Sequence, residues 1–267
     1  LPDFIDLLCI DTDIFDASQP EEDAGLKTKL TESEYHQINI QNAGQITGNL
    51  DSDTYNYMYE WFPQKLKHHI GQISQGAHQF RFTGRFGIFV DIQKIYQQIK
   101  TKMSKIMARS NVNQDDIIVP LTNKQGQILT PEFYIVGSLC GGSGAGMFLD
   151  IAYLIKMAYY QLSGGKGQPT IIGIQLTPEA FTQIAIDPNV NSTGRIEGNG
   201  YASLAELFYF MSKEKFPPTR SAKDILNQDR RNKFMVNYGP IGKSHDTTTF
   251  GHVADEPPFD QIYLLGT

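Results

Sequence analysis

Cysteine and charged residues are both scarce in this chain. Only two cysteines, Cys9 and Cys140, occur in 267 residues. Each falls in an apolar stretch, which argues against a disulfide-built fold and reads as two reduced core thiols of a cytoplasmic protein. Long hydrophobic runs are missing too: no stretch approaches ~20 consecutive apolar residues, so no membrane span is expected. The first residues do not read as a basic–apolar signal peptide. Cations are outnumbered, 23 Lys and Arg against 29 Asp and Glu, for a formal net charge of −6. A general nucleic-acid binder needs a phosphate-neutralising basic face, and this balance argues against one. Internal repeats and low-complexity segments are absent. What is present is 40% hydrophobic residues, enough to build a sizeable core.

Short apolar runs alternate with helical patterns. Residues 4–10 (FIDLLCI) read as a buried parallel-type strand that ends in the polar DTD. KLTESEYHQINI suggests a short edge element. Residues 54–75 carry apolar side chains at helical spacing, with a break at Pro63. QGAHQFRFTGRFG reads as a loop. Residues 88–107 form the clearest amphipathic pattern, with Ile92, Ile95, Tyr96, Ile99, Met103 and Ile106 on one face. IIVP–TNKQGQ–ILTPEF reads as a hairpin-like excursion. FYIVGSL, TIIGIQL and FDQIYLLG read as buried strands, KFMVNY as a further strand, and SAKDILNQDRR as a short helix. MFLDIAYLIKMAYYQL is a helix apolar nearly all round. A loop over 177–198 leads to a helix at 201–211. This alternation implies an α/β fold: a three-layer, Rossmann-like, mostly parallel sheet with helices on both faces.

Residues 134–150 read YIVGSLCGGSGAGMFLD. Four glycines fall in the six positions from Gly141 to Gly146, between a strand and a helix. In an open parallel sheet, ligands gather beyond the carboxyl ends of the strands. The first N–H groups of a helix lack internal partners and face an anion favourably. Glycines allow φ > 0 and remove Cβ atoms that keep a phosphate away, and Ser143 adds a hydroxyl. Strand, CGGSGAG, helix therefore reads as a phosphate cradle, against the plainer reading of a tight turn without ligand. No Lys follows Gly146, so the P-loop pattern fails. Gly142, Gly144 and Gly146 have the wrong spacing for the dinucleotide fingerprint. The nucleophile-elbow pattern around Ser143 has Ala145 where Gly belongs, and no compelling His partner follows.

The segment SLCGGSGAGMFLDIAYLI resembles the glycine-rich signature loop of tubulin and its bacterial cell-division homologue, closest to a group of prokaryotic tubulin-like proteins. Further segments match in order: LLCIDTD; QGAHQFRFTGRFGIF, with His78 in place of a Gly; GNGYASLAEL; and PFDQIYLL. Together they span roughly residues 4–265. The resemblance implies a tubulin-type nucleotide-binding domain that holds GTP or GDP with Mg²⁺. Carried over, Gly141, Gly142, Ser143, Gly144, Ala145 and Gly146 wrap the phosphates. Asp11, Thr12 and Asp13 lie near the phosphates or the Mg²⁺ ion. Gly76, Ala77 and His78 face the terminal phosphate, and Glu197 or Asn199 approaches the ribose. It also implies a first strand and loop ahead of Leu1, and a central helix with a base-reading Asn and an activation domain after Thr267. Residues 1–267 are therefore expected to be a single nucleotide-binding domain truncated at both ends.

Each feature has a plain counterpart. Asp11 and Asp13 suit ordinary strand-end capping, Arg81 and Arg85 suit surface salt bridges, and Asp150 suits the helix dipole. His68, His69 and His78 lack the acidic or cysteine partners of a metal site. The reading carried forward is a guanine-nucleotide-binding, filament-forming protein of the prokaryotic cytoplasm. It self-associates head to tail, completes GTP hydrolysis between protomers and takes cytoplasmic protein partners, with no nucleic acid and no membrane span. The alternatives are a nucleotide-binding scaffold without turnover and a hydrolase centred on Ser143.

Overall fold

The computed structural model describes residues 5–13, 30–59, 61–74, 76–77, 79–109, 131–181, 192–211, 237–242 and 256–266. Two short strands, β1 (Cys9–Asp11) and β2 (Tyr35–Gln37), pair in parallel. A second sheet holds β3 (Glu132–Ser138), β4 (Thr170–Leu176) and β5 (Gln261–Leu265) in that spatial order, all parallel. The helices are α1 (Ala43–Gly48), α2 (Asn56–Tyr59), α3 (Arg81–Val90), α4 (Ile92–Arg109), α5 (Ser143–Leu162) and α6 (Ser192–Met211). Short 3₁₀ turns occupy Gln64–His69, Pro178–Phe181 and Gly239–Ile241. The chain is thus α/β, with parallel strands flanked by helices.

The core is built around α5, which packs on β3, α3, α4 and α6. Its apolar circumference is the cause: Phe148, Ala152, Tyr153, Leu154 and Met157 are all buried. Full burial of Phe148, Leu154 and Met157 contributes about 1.5–3 kcal/mol each. Two charged groups in this helix are buried with partners. Lys156 Nζ donates to Pro257 O at 2.7 Å, which ties the segment before β5 to the helix. Asp150 takes Arg85, discussed below. On the sheet, Ile171 and Gly173 of β4 face the core. Tyr134, Val136 and Tyr263, on the other face, are 57%, 72% and 53% exposed among the described residues.

Several elements differ from expectation. The first strand is three half-buried residues, not seven, and Ile5 and Leu7 are exposed. The helical pattern at 54–75 yields only one turn of α2 before Pro63 and a 3₁₀ turn after it. QGAHQFRFTGRFG is not all loop: from Arg81 it is helix α3. Gly84 and Gly87 each cost a helix about 1 kcal/mol relative to Ala, but tight packing requires them. A Cβ on Gly84 would fall on the Gly142 carbonyl, and one on Gly87 would lie 3.1 Å from Ile38 Cγ2. The amphipathic stretch from residue 88 is split at Asp91, which closes α3 through its N–H to Gly87 O. Burial raises the Asp91 carboxyl pKa; hydrogen bonds from His36 and Lys94 outweigh this and hold it below the usual range. Helix α6 starts at Ser192, inside the stretch expected to be loop. The expected hairpin excursion falls almost entirely outside the described residues. So do the helix in SAKDILNQDRR and most of the strand in KFMVNY.

Candidate functional site

Four segments converge at the carboxyl ends of β1 and β3. Thr12, directly after β1, is fully buried, and its Oγ1 lies 2.6 Å from Ser143 Oγ, the first residue of α5. Its carbonyl accepts the Gly76 N–H at 3.1 Å. Asp11 Oδ1 accepts the backbone N–H of Thr12 at 2.6 Å and of Asp13 at 3.3 Å, which folds the DTD loop over its own strand end. Thr12 is therefore the hub that ties this loop to the 76–80 turn and to the start of α5. Asn199, on α6, brings in the fourth segment: its Nδ2 donates to Gln79 O at 2.8 Å, to Cys140 O at 2.9 Å and to Gly141 O at 3.4 Å. Glu197 is on the same helix and exposed. His78 lies outside the described residues.

The glycines of the loop do a different job from the one their number suggests. None of Gly141, Gly142, Gly144 and Gly146 has positive φ; Gly142 sits at φ −84° and ψ −50°. Three of them serve close packing. A Cβ on Gly142 would lie 2.6 Å from Ala77 Cβ and 3.0 Å from Phe80 N, and one on Gly144 would lie 3.0 Å from Ser138 O. One on Gly146 would fall on the Arg81 carbonyl. Helices α3 and α5 thus cross at glycine-to-backbone distance. At Gly141 a Cβ would meet nothing within 4 Å, so this is the position where the backbone stands open. The N-terminus of α5 has no side-chain cap, so its first amides keep the unpaired donors of a helix start.

Gln79 lies in the matching segment QGAHQFRFTGRFGIF without an assigned role, and it is the one described non-glycine residue with positive φ, at 61°. It is the third residue of the turn that Phe80 N closes on Ala77 O at 2.9 Å. A left-handed conformation costs an L-residue about 1–2 kcal/mol. It persists where neighbours over-determine it, here through the bond from Asn199 to the Gln79 carbonyl.

The chemistry of single side chains narrows the options. Ser143 pairs with Thr12, and among the described residues it has no hydrogen bond to a histidine, so the nucleophile–base pair of a serine hydrolase is not formed. Cys140 is buried, and desolvation pushes its thiol pKa up, the opposite of a reactive thiolate. Both cysteines are free. Among the described residues no group of three or more His, Cys, Asp and Glu is arranged to hold a metal. Arg81 forms the surface bridge that the sequence allowed, whereas Arg85 turns to a buried carboxylate. Arg81 pairs with Glu206 and donates to Ala145 O at 3.2 Å. Arg85 Nε lies 3.0 Å from Asp150 Oδ2. Asp150 sits two turns into α5, so this ion pair, not the helix dipole, accounts for it. A groove of about 870 Å³ runs between α3, α5 and α6. It reaches the convergent loops through Ala145, Gly146 and Asn199, and its lining excludes Asp11, Gly76 and Gly141.

A family model described as tubulin like matches residues 1–267. The chain belongs to the tubulin-like family. Comparison with curated proteins and with solved structures found no match. In this tubulin-like chain the signature loop, the DTD loop, the 76–80 turn and α6 are joined by direct hydrogen bonds. No described helix is long and apolar enough to cross a membrane.

Proposed function

We propose that this tubulin-like chain binds a guanine nucleotide, GTP or GDP, with Mg²⁺ at the convergence of the four segments. The observation that carries the reading is the uncapped start of α5 beside an open Gly141, with the hydroxyls of Thr12 and Ser143 alongside. Backbone donors at a helix N-terminus favour a phosphate. Gly141 to Ala145 line the phosphates through backbone amides rather than by left-handed turns, while the Gly146 amide closes the first turn of α5 on Gly142 O at 3.1 Å. Gly76 and Ala77 border the terminal phosphate, as does His78 by the family resemblance. Asp11 and Asp13 would repel a bare polyphosphate, so their presence calls for a cation between. Their carboxylates are hard oxygen donors of the kind Mg²⁺ takes, usually one or two per ion with phosphate and water completing the shell. Those residues would hold the ion, and it would supply neutralisation of the phosphate charge. Glu197, exposed on α6, is assigned to the ribose. The protein acts in the prokaryotic cytoplasm as a domain, 1–267, that stacks head to tail and completes GTP hydrolysis between protomers.

Titration calorimetry of the full chain with GTP, GDP and ATP in Mg²⁺ tests this. Saturable binding of the guanine nucleotides that weakens when Mg²⁺ is chelated is expected; no heat with any of them would sink the reading. A second reading is a scaffold that binds nucleotide without turnover. It draws support from Gly142, Gly144 and Gly146, because packing alone accounts for these three glycines.

A further inference from the structure

Helix α6 offers two side-chain donors one turn apart, Asn199 and Ser203, and both reach the glycine loop. Ser203 is fully buried and its hydroxyl donates to Leu139 O at 3.0 Å. Asn199 Nδ2 donates to Cys140 O at 2.9 Å and Gly141 O at 3.4 Å, and also to Gln79 O at 2.8 Å. Three consecutive loop carbonyls, 139, 140 and 141, thus end on donors from one helix face. The amide orientation of Asn199 follows from these partners, since the reverse would set its Oδ1 against three carbonyl oxygens. Gly200, between the two, brings α6 close: a Cβ there would fall on Pro178 and lie 3.8 Å from Cys140 Sγ.

The consequence lies on the other edge of each peptide. No described peptide is cis, and a trans peptide points its N–H away from its C=O. The first of the three shows it: Leu139 O turns to Ser203, while Cys140 N turns to Ser138 Oγ at 3.0 Å. The next two carbonyls turn to Asn199, so the amides of Gly141 and Gly142 turn away from α6. Carbonyl oxygens left facing a phosphate would repel it, and amides attract it. We infer that Asn199 and Ser203 are positioning residues: they draw the acceptor oxygens of the loop into α6 and present the Gly141 and Gly142 amides to a phosphate group. This rests on the nucleotide reading and adds to it a role for Asn199 in orienting the loop. It also brings in Ser203, which no motif marks.

The test uses the full chain with Asn199→Asp, Asn199→Ala, Ser203→Ala and, as a control exposed on α4 away from the site, Lys105→Gln. Asn199→Asp keeps the shape and replaces the donor by an acceptor, so packing alone predicts no change. Affinities for GDP and for guanosine, which lacks phosphate, are measured by calorimetry or competition. The Gly141 and Gly142 amide resonances are followed on ¹⁵N-labelled protein. Expected is a loss of GDP affinity of about tenfold or more in Asn199→Asp, some 1.4 kcal/mol. Ser203→Ala, which removes a single bond and is the gentler change, should lose less. Guanosine affinity should stay within about twofold, and the GDP-induced shifts of the two amides should be lost. Asn199→Asp binding GDP as the wild type does, or losing guanosine to the same degree, overturns the positioning role and leaves the nucleotide reading intact. Wild-type protein that takes up neither ligand refutes the nucleotide reading itself, and the positioning role with it.

Discussion

A methyl group at Gly142 would meet Ala77 Cβ at 2.6 Å and main-chain atoms of residues 77 and 80 at 3.0 Å; at Gly141 it would meet nothing within 4 Å. Neither neighbour of Gly142 is the free end of a flexible side chain, so the backbone of the 76–80 turn has to move. Overpacking of this kind costs about 1–3 kcal/mol. Gly142→Ala should lower the urea midpoint accordingly, while Gly141→Ala, in the same loop and with no left-handed φ to lose, should stay within about 0.5 kcal/mol. Equal losses for the two would mean that the glycines act through conformational freedom instead. The number of glycines was legible in the sequence; the division of labour among them was not. It depends on which Cβ direction faces another backbone, and that backbone is some 60 residues away in the chain. Asn199 makes the same point, since its partners on the 79–80 and 140–141 peptides are remote in sequence.

At the scale of elements, α3 and α5 are locked by a buried ionic cluster as well as by their glycine contact. Arg85 meets Asp150 through Nε at 3.0 Å and through its terminal nitrogen at 3.4 Å. Tyr238 donates to Asp150 Oδ1 at 3.0 Å. The guanidinium also lies over the Trp61 ring, 4.7 Å from its centroid, and 5.3 Å from that of Phe89. Burial acts to lower the Arg85 pKa, but the charge and hydrogen bond of Asp150, with smaller help from Tyr238 and Glu206, together outweigh it, so the net shift is upward. Burial, then Asp150, pushes the Tyr238 phenol well above its ordinary value. Both shifts keep Arg85 charged and Tyr238 neutral near neutral pH. Asp150→Ala strands the guanidinium in a mostly buried setting and should cost about 3 kcal/mol, read as a lower urea midpoint with an unchanged slope. A cost below about 0.5 kcal/mol would mean that the cluster is ornamental. The sequence marks Arg85 and Asp150 only as charges in apolar surroundings. Which of them meet was decided by the crossing of two helices.

Across the whole molecule, the nucleotide reading has a kinetic consequence. If each protomer's site is completed by its neighbour, assembly is heterologous and open-ended, and turnover requires two chains. GTP hydrolysis per protomer should then rise steeply with protein concentration, where an enzyme with a self-contained site shows a constant specific rate. Phosphate release measured over a hundredfold range of concentration separates the two. Binding with no release at any concentration favours the scaffold. The exposed side of the three-stranded sheet, with Tyr134, Val136 and Tyr263, belongs to this scale too, because local pattern could not foresee it. An apolar run marks a strand as core-forming whether one face or both are covered, and only the positions of the helices settle which.

Composition and the order of apolar runs were enough to determine an α/β chain with parallel strands, and the CGGSGAG segment with its companions was enough to point to the tubulin-like family. These are properties of local pattern, period and spacing, which a linear string records in full. Tertiary structure alone decided that α3 is a helix despite its glycines and that three loop glycines serve packing. It alone joined Thr12 to Ser143, and brought the donors of α6 to three consecutive loop carbonyls. Each of these depends on which distant backbone lies within a few ångströms, and that follows from the packing of the whole core around α5.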